Sequence, residues 1–246
     1  MKSAIQVALN NISKPKLGIE ITSYMQNVLR FRGLLQPQIE TIFKQFRKEI
    51  NQLNDNEKYD LADSLMKEQF GEDKRFGLMV AEKIRFDYTK IKKTEEWFLE
   101  GFIKDWGTSD IYCSRVLKNF VQDKQNAKLM IEWSKSNNLW MRRSSCVGFI
   151  FLVNKNKCDL NMLFDICQEN IIHQERFNQL GTGWLLRELS QVDLKQVIQF
   201  IERNLQYFSS EGLRYAYEKM KECEQDYLRE LLKQYKKQKK GLKENI

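Results

Sequence analysis

Apolar residues recur at steps of three and four along nearly the whole chain, as in Leu61, Leu65, Met66 and Phe70 or in Val116, Phe120 and Val121. That spacing lines one face of an α-helix, whereas a strand would alternate. Short polar or Gly/Asn breaks separate the runs at Asn51 to Glu57, Gly71 to Lys74, Lys135 to Asn138, Asn154 to Lys157 and Ser209 to Gly212. Their length and chemistry suit helix–helix connections. The pattern predicts helix pairs of roughly 30 to 45 residues, the period of stacked helical repeats. No linker rich in Pro, Gly or Ser interrupts it, so a single repeat domain over residues 1–246 is expected. From about residue 236 a basic tail with Lys236, Lys237, Lys239, Lys240 and Lys243 reads as a solvated, frayed helix end.

Composition strengthens the helical reading. Only Pro15 and Pro37 break a chain of 246 residues rich in Lys, Glu, Leu, Gln and Ile, which argues for an all-α fold. A HEAT-like helical repeat solenoid, an α-α superhelix, is the expected architecture, with equivalent helices lining one concave face. Forty-one Lys and Arg against 33 Asp and Glu leave a net charge of +8. That balance favours anionic partners, nucleic acid first, and equally suits a merely soluble basic protein.

Other classes are excluded or disfavoured. Cys113, Cys146, Cys158, Cys167 and Cys223 are odd in number and without CxxC spacing, so they read as reduced core residues of an intracellular protein. His173 is the only histidine and reads as a surface residue, so no metal site is expected, and no cofactor. There is no Rossmann or phosphate-loop fingerprint. Ser144 and Ser145 lack a partner that would activate a nucleophile. No segment approaches the roughly 18 apolar residues of a membrane span, and the N-terminus lacks an apolar core of a signal peptide. A cytoplasmic monomer is expected. Phe43, Phe46, Phe149 and Phe151 are read as core.

Three aromatic–polar pairs carry candidate chemistry. Trp106 and Asp110 lie four residues apart, so on a helix both leave one face. A ring face beside a carboxylate suits a site that holds a cationic or oxocarbenium-like group, although a buried tryptophan beside a capping aspartate is the plainer reading. Trp140-Met141-Arg142-Arg143 follows the break Ser136-Asn137-Asn138. Two guanidinium groups thus open a helix, where the dipole also favours phosphate, unless they only meet nearby acids. In Gly181-Thr182-Gly183-Trp184 with Arg187, two glycines cost about 1 kcal/mol each relative to alanine. They would admit a close helix or a nucleic-acid backbone, with Trp184 and Arg187 presented on one face.

Read in order, these residues resemble the AlkD-like DNA glycosylases, a HEAT-repeat family of DNA alkylation repair enzymes. The resemblance runs over roughly residues 20 to 220. It rests on Tyr24-Met25-Gln26-Asn27 with Phe31 and Gly33 before Pro37, then Trp106 with Asp110, Trp133, and Asn138-Leu139-Trp140 leading to Arg143. Gly183-Trp184-Leu185-Leu186-Arg187-Glu188 and Leu213-Arg214-Tyr215-Ala216 with Glu218-Lys219 complete it. The resemblance implies an enzyme that grips duplex DNA and hydrolyses the N-glycosidic bond of cationic N3- and N7-alkylated purines, without metal and without base flipping. It implies that Asp110 is the catalytic carboxylate and that Trp106 and Trp184 contact the lesion deoxyribose. Arg143 would hold DNA near the lesion, with Arg187, Arg142, Trp140 and Tyr24 on the same DNA-binding surface. Two other readings stand beside it: a non-catalytic relative that binds damaged or branched DNA without excision, and a helical scaffold that binds protein.

Overall fold

The computed structural model describes residues 1–153 and 158–244, with side chains as far as Lys239. The predicted break at Asn154 to Lys157 and the side chains of Lys240 and Lys243 lie outside the described residues. The fold is all-α, with no strand among the described residues, and the contacts divide it into two compact units, Met1–Phe120 and Val121–Ile246.

The first unit contains α1 (Lys2–Asn11), α2 (Pro15–Tyr24), α3 (Gln36–Gln52), α4 (Asp55–Met66) and α5 (Gly71–Ala81). Shorter helices follow: α6 (Tyr88–Lys93), α7 (Glu95–Leu99), α8 (Trp106–Tyr112), a π-helical turn at Cys113–Leu117, and α9 (Lys118–Phe120). Helix α5 is central, packing on α3, α4 and α8. Its Phe76, Leu78 and Val80 are buried, with the Phe76 ring 5.2 Å from that of Phe43 on α3, and Leu34, Ile39, Leu65 and Trp97 are buried in the same unit. Pro15 opens α2 at a position where a missing N–H costs nothing. Asn54 opens α4 by accepting the N–H groups of Asn56 and Glu57, while Glu57 accepts the N–H of Asn54, a reciprocal cap.

The second unit contains α10 (Lys124–Ala127), α11 (Leu129–Ser134), α12 (Leu139–Val147), α13 (Leu160–Ile171), α14 (Arg176–Leu189), α15 (Leu194–Asn204), α16 (Ser210–Tyr217) and α17 (Glu222–Glu244). Helix α14 is its centre, packing on α12, α13 and α16. Asn138, Asp159, Asp193 and Ser209 cap α12, α13, α15 and α16 through side-chain oxygens. Helix continues through the tail to Glu244.

Several expectations are corrected. Gly71 to Lys74 is no break but the buried first turn of α5. Its polar side chains turn inward because they have partners: Glu72 accepts the N–H groups of Arg32, Gly33 and Leu34, and Asp73 pairs with the Arg32 guanidinium at 2.7 Å. The preceding connection is residues 67–70. At Ser209 to Gly212 only Ser209 lies outside the helix, and Gly212 is inside α16. Phe151 is exposed rather than core, and Phe46 is half-buried. None of the five cysteines forms a disulfide, but Cys223 is exposed and Cys158 half-buried, so only three are core. No described helix is long and apolar enough to cross a membrane.

Candidate functional site

Helix α8 carries the aromatic–carboxylate pair. Asp105 caps it, its Oδ1 accepting the Thr108 N–H at 2.8 Å, so Trp106 is the first helical residue and Asp110 follows one turn later. Both are half-buried. Immediately beyond, the helix widens into the π turn at Cys113–Leu117, a distortion that recurs near functional sites because it re-aims the neighbouring side chains. Trp106 packs on a small cluster of Met25, Leu29 and Phe31, together with Ile21. The Tyr24 ring stands edge-on to it at 6.2 Å between centroids and 80° between planes.

The chain delivers Tyr24 there by a tight reversal after α2. Gln26 and Asn27 adopt φ of 56° and 58°, a left-handed conformation that costs non-glycine residues on the order of 1 kcal/mol each. The turn lets Met25 face inward while Tyr24 stays 72% exposed. A side chain at Gly107 would come within 3.2 Å of Met25 Cε and of Asp105 Oδ1, so Met25 lies close under the first turn of α8.

Beneath the head of α8 lies a group of charges. Asp105 is buried and its Oδ2 has no hydrogen-bond partner among the described residues. Lys74, also buried, donates to the Met66 carbonyl and lies 5.6 Å from the centroid of the Phe102 ring. Burial pushes its ammonium down to about 8, an effect that the charge of Asp105 opposes.

The second unit holds two arginine groups, both built on α14. Trp140 sits in the first turn of α12, where the Asn138 side chain accepts its N–H at 2.9 Å, and its ring lies 5.4 Å from that of Phe177. Arg142 is 2% exposed and donates to the Ser136 carbonyl at 2.8 Å and to Glu175 at 2.5 Å. Arg143, 5% exposed, donates to the Phe177 carbonyl at 2.8 Å. Both guanidinium groups turn into the unit and tether the head of α14, so neither presents the open phosphate-binding fork that its place at a helix start suggests. On α14 itself the Arg187 guanidinium lies 5.6 Å from the centroid of the Trp184 ring and 5.0 Å from that of Tyr215, and it pairs with Glu218 and, at 3.3 Å, with Glu188. Lys219 meets Glu188 at 2.8 Å. The two glycines serve packing: a Cβ on Gly183 would lie 2.5 Å from the Gly212 carbonyl of α16, and one on Gly181 would lie 3.1 Å from Arg143 Cγ.

The family model for the DNA alkylation repair enzyme matches residues 5–220. The chain belongs to that family. Among solved structures, this DNA alkylation repair family member is similar to a "Predicted DNA alkylation repair enzyme from Enterococcus faecalis", with 16% identity and a TM-score of 0.76 over 85% of this chain and 97% of that one. At that identity the likeness bears on the fold. No curated protein matches the sequence.

Within this repair-family chain the anticipated residues fall into separate groups. Tyr24, Trp106 and Asp110 share the first unit, with Tyr24 against Trp106 and Asp110 one turn along α8. Trp140, Arg142 and Arg143 gather at the head of α14, and Trp184 with Arg187 lies further along it. Chemically, the first group sets aromatic faces and a carboxylate on neighbouring turns, and the last holds a guanidinium against two rings and two carboxylates. Nothing local in the sequence marks Asp105 and Lys74, because their burial depends on distant residues. Tyr215 and Glu218 belong to the Leu213-to-Lys219 motif, and their spacing to Arg187 carries no local signal.

Proposed function

We propose that the chain is a DNA glycosylase that hydrolyses the N-glycosidic bond of cationic N3- and N7-alkylated purines in duplex DNA. The observation that carries this reading is the seat of Asp110 one helical turn from Trp106, whose ring is fixed by Tyr24 and the Met25 cluster, in a DNA alkylation repair family member. An alkylated purine is already a cationic leaving group, so a general acid is unnecessary. The C1′–N bond breaks with its electron pair going to the purine, which departs neutral, and positive charge develops on the sugar. The Asp110 carboxylate stabilises that charge and orients a water whose oxygen bonds to C1′ and whose proton passes to solvent. The Trp106 ring face lies against the same charge. Trp184 and Arg187 are assigned to DNA contact from the second unit, and Arg142 and Arg143 to holding Trp140 and α14 in place for it.

The test is release of 7-methylguanine or 3-methyladenine from alkylated duplex DNA at low salt. The wild type is expected to release base, and Asp110→Asn to lose about 100-fold or more in rate while still binding DNA. No release by the wild type refutes the enzymatic reading and leaves the non-catalytic DNA-binding relative. Full activity in Asp110→Asn refutes the role given to that carboxylate.

A further inference from the structure

The first unit has a second concavity that the proposed reaction does not use. A cavity of about 550 Å³ opens between the end of α1, the outer face of α2 and the segment 27–32, within the roughly 300–1,000 Å³ of small-molecule sites. Ile19, Phe31 and Phe70 supply an apolar wall. Part of that wall is held rigidly, because the Arg32 guanidinium lies 4.1 Å from the Phe70 ring centroid while bonded to Asp73 at 2.7 Å and to Asn10 Oδ1 at 2.6 Å. Arg30 is pinned by its backbone, its N–H to the Gln69 carbonyl and its carbonyl to the Gly71 N–H at 2.8 Å. Glu72 fixes the N–H groups just beyond it.

The rim is chemically unspent. Arg30, Asn27 and Ser23 are exposed and their side chains have no hydrogen-bond or ion-pair partner among the described residues. Asn10 commits its oxygen to Arg32, which leaves its two amide hydrogens to donate. No carboxylate lines the cavity. A ligand suited to it carries an anionic group for Arg30, a flat apolar body for the wall, and edge donors and acceptors for the amides and hydroxyl. We propose that this cavity binds a nucleoside monophosphate, the base against Ile19 and the half-buried Phe70 and the phosphate on Arg30. The choice of a nucleotide over other aromatic phosphates rests on the DNA reading above.

Isothermal titration of the full-length chain with 2′-deoxyguanosine 5′-monophosphate, deoxyguanosine and inorganic phosphate tests it. The nucleotide is expected to bind about tenfold or more tightly than either fragment, and Arg30→Glu and Ser23→Trp, both at exposed positions, each to weaken it about tenfold or more. Inorganic phosphate binding as well as the nucleotide, or both variants binding like the wild type while folded by circular dichroism, overturns the proposal. Competition by duplexes identifies the source. A duplex with one unpaired nucleotide displacing the monophosphate better than a fully paired duplex assigns the cavity to an extrahelical nucleotide, and equal competition assigns it to the free nucleotide. The base-release assay on the same proteins separates the two readings: nucleotide binding without base release removes the glycosylase assignment alone, and base release without nucleotide binding removes this one alone.

Discussion

Lys74 is an ammonium placed where water cannot solvate it, and its titration makes that placement measurable. Its folded value lies at about 8 against an ordinary 10.5, with burial as the first cause. The unfolded chain therefore holds its proton more tightly than the folded one, and stability rises with pH across that interval. Below about 8 the folded protein bears the full cost of the buried charge; the cost fades as pH climbs toward 10.5. Comparing urea unfolding of the wild type with Lys74→Met at about pH 7 and about pH 9.5 isolates the term. The wild type should gain on the order of 1–2 kcal/mol relative to the variant at the higher pH. A gap that does not change with pH would mean that Lys74 titrates normally. The same residue explains a failure of sequence reading. Glu72, Asp73 and Lys74 look like solvated loop residues, and the groups that answer two of them, Arg32 to Leu34, lie about forty positions earlier, beyond any local pattern.

Among elements, α14 concentrates the packing of the second unit. Its Gly183 faces the Gly212 carbonyl of α16 at a distance that leaves no room for a methyl group, so the two helices cross backbone to backbone. In a free helix, alanine would be worth about 1 kcal/mol more than glycine; here the added carbon must push α14 and α16 apart. Gly183→Ala should therefore destabilise by about 1–3 kcal/mol net, read as a lower midpoint in thermal or urea unfolding. A stabilised variant would mean that the helices can separate at little cost. What was legible at this scale follows from period. Helices came from three- and four-residue spacing, and the Trp106/Asp110 and Trp184/Arg187 faces from one-turn spacing. The role of the glycines stayed open between helix and nucleic acid, because a small residue announces a close neighbour without saying which. Likewise the inward turn of Arg142 and Arg143 depends on Glu175 and Phe177, more than thirty residues away, while their position at a helix start is all that the sequence displays.

For the whole molecule, a net charge of +8 favours the anionic backbone of DNA, and the DNA contact proposed for Arg187 makes that attraction testable at one point. Its guanidinium sits between two rings but is already paired with Glu218, an exposed carboxylate. In the proposed scheme a phosphate that takes Arg187 competes with Glu218 for it. Neutralising that carboxylate in Glu218→Gln should tighten DNA binding several-fold and steepen the fall of log affinity with log salt between about 50 and 200 mM, since Arg187 then keeps only its 3.3 Å pairing with Glu188 and has more charge to give a phosphate. Removing the cation in Arg187→Ala should do the opposite, weakening affinity and flattening the slope by about one phosphate contact. Asp110→Asn contributes no phosphate contact in this scheme, so its salt slope should match the wild type even as base release is lost. Fluorescence anisotropy with one alkylated duplex across a salt series reads all three. An Arg187→Ala slope equal to the wild type's would show that Arg187 takes no part in holding the backbone, and an Asp110→Asn slope flattened like that of Arg187→Ala would show that Asp110 acts in DNA grip and not in the chemistry alone.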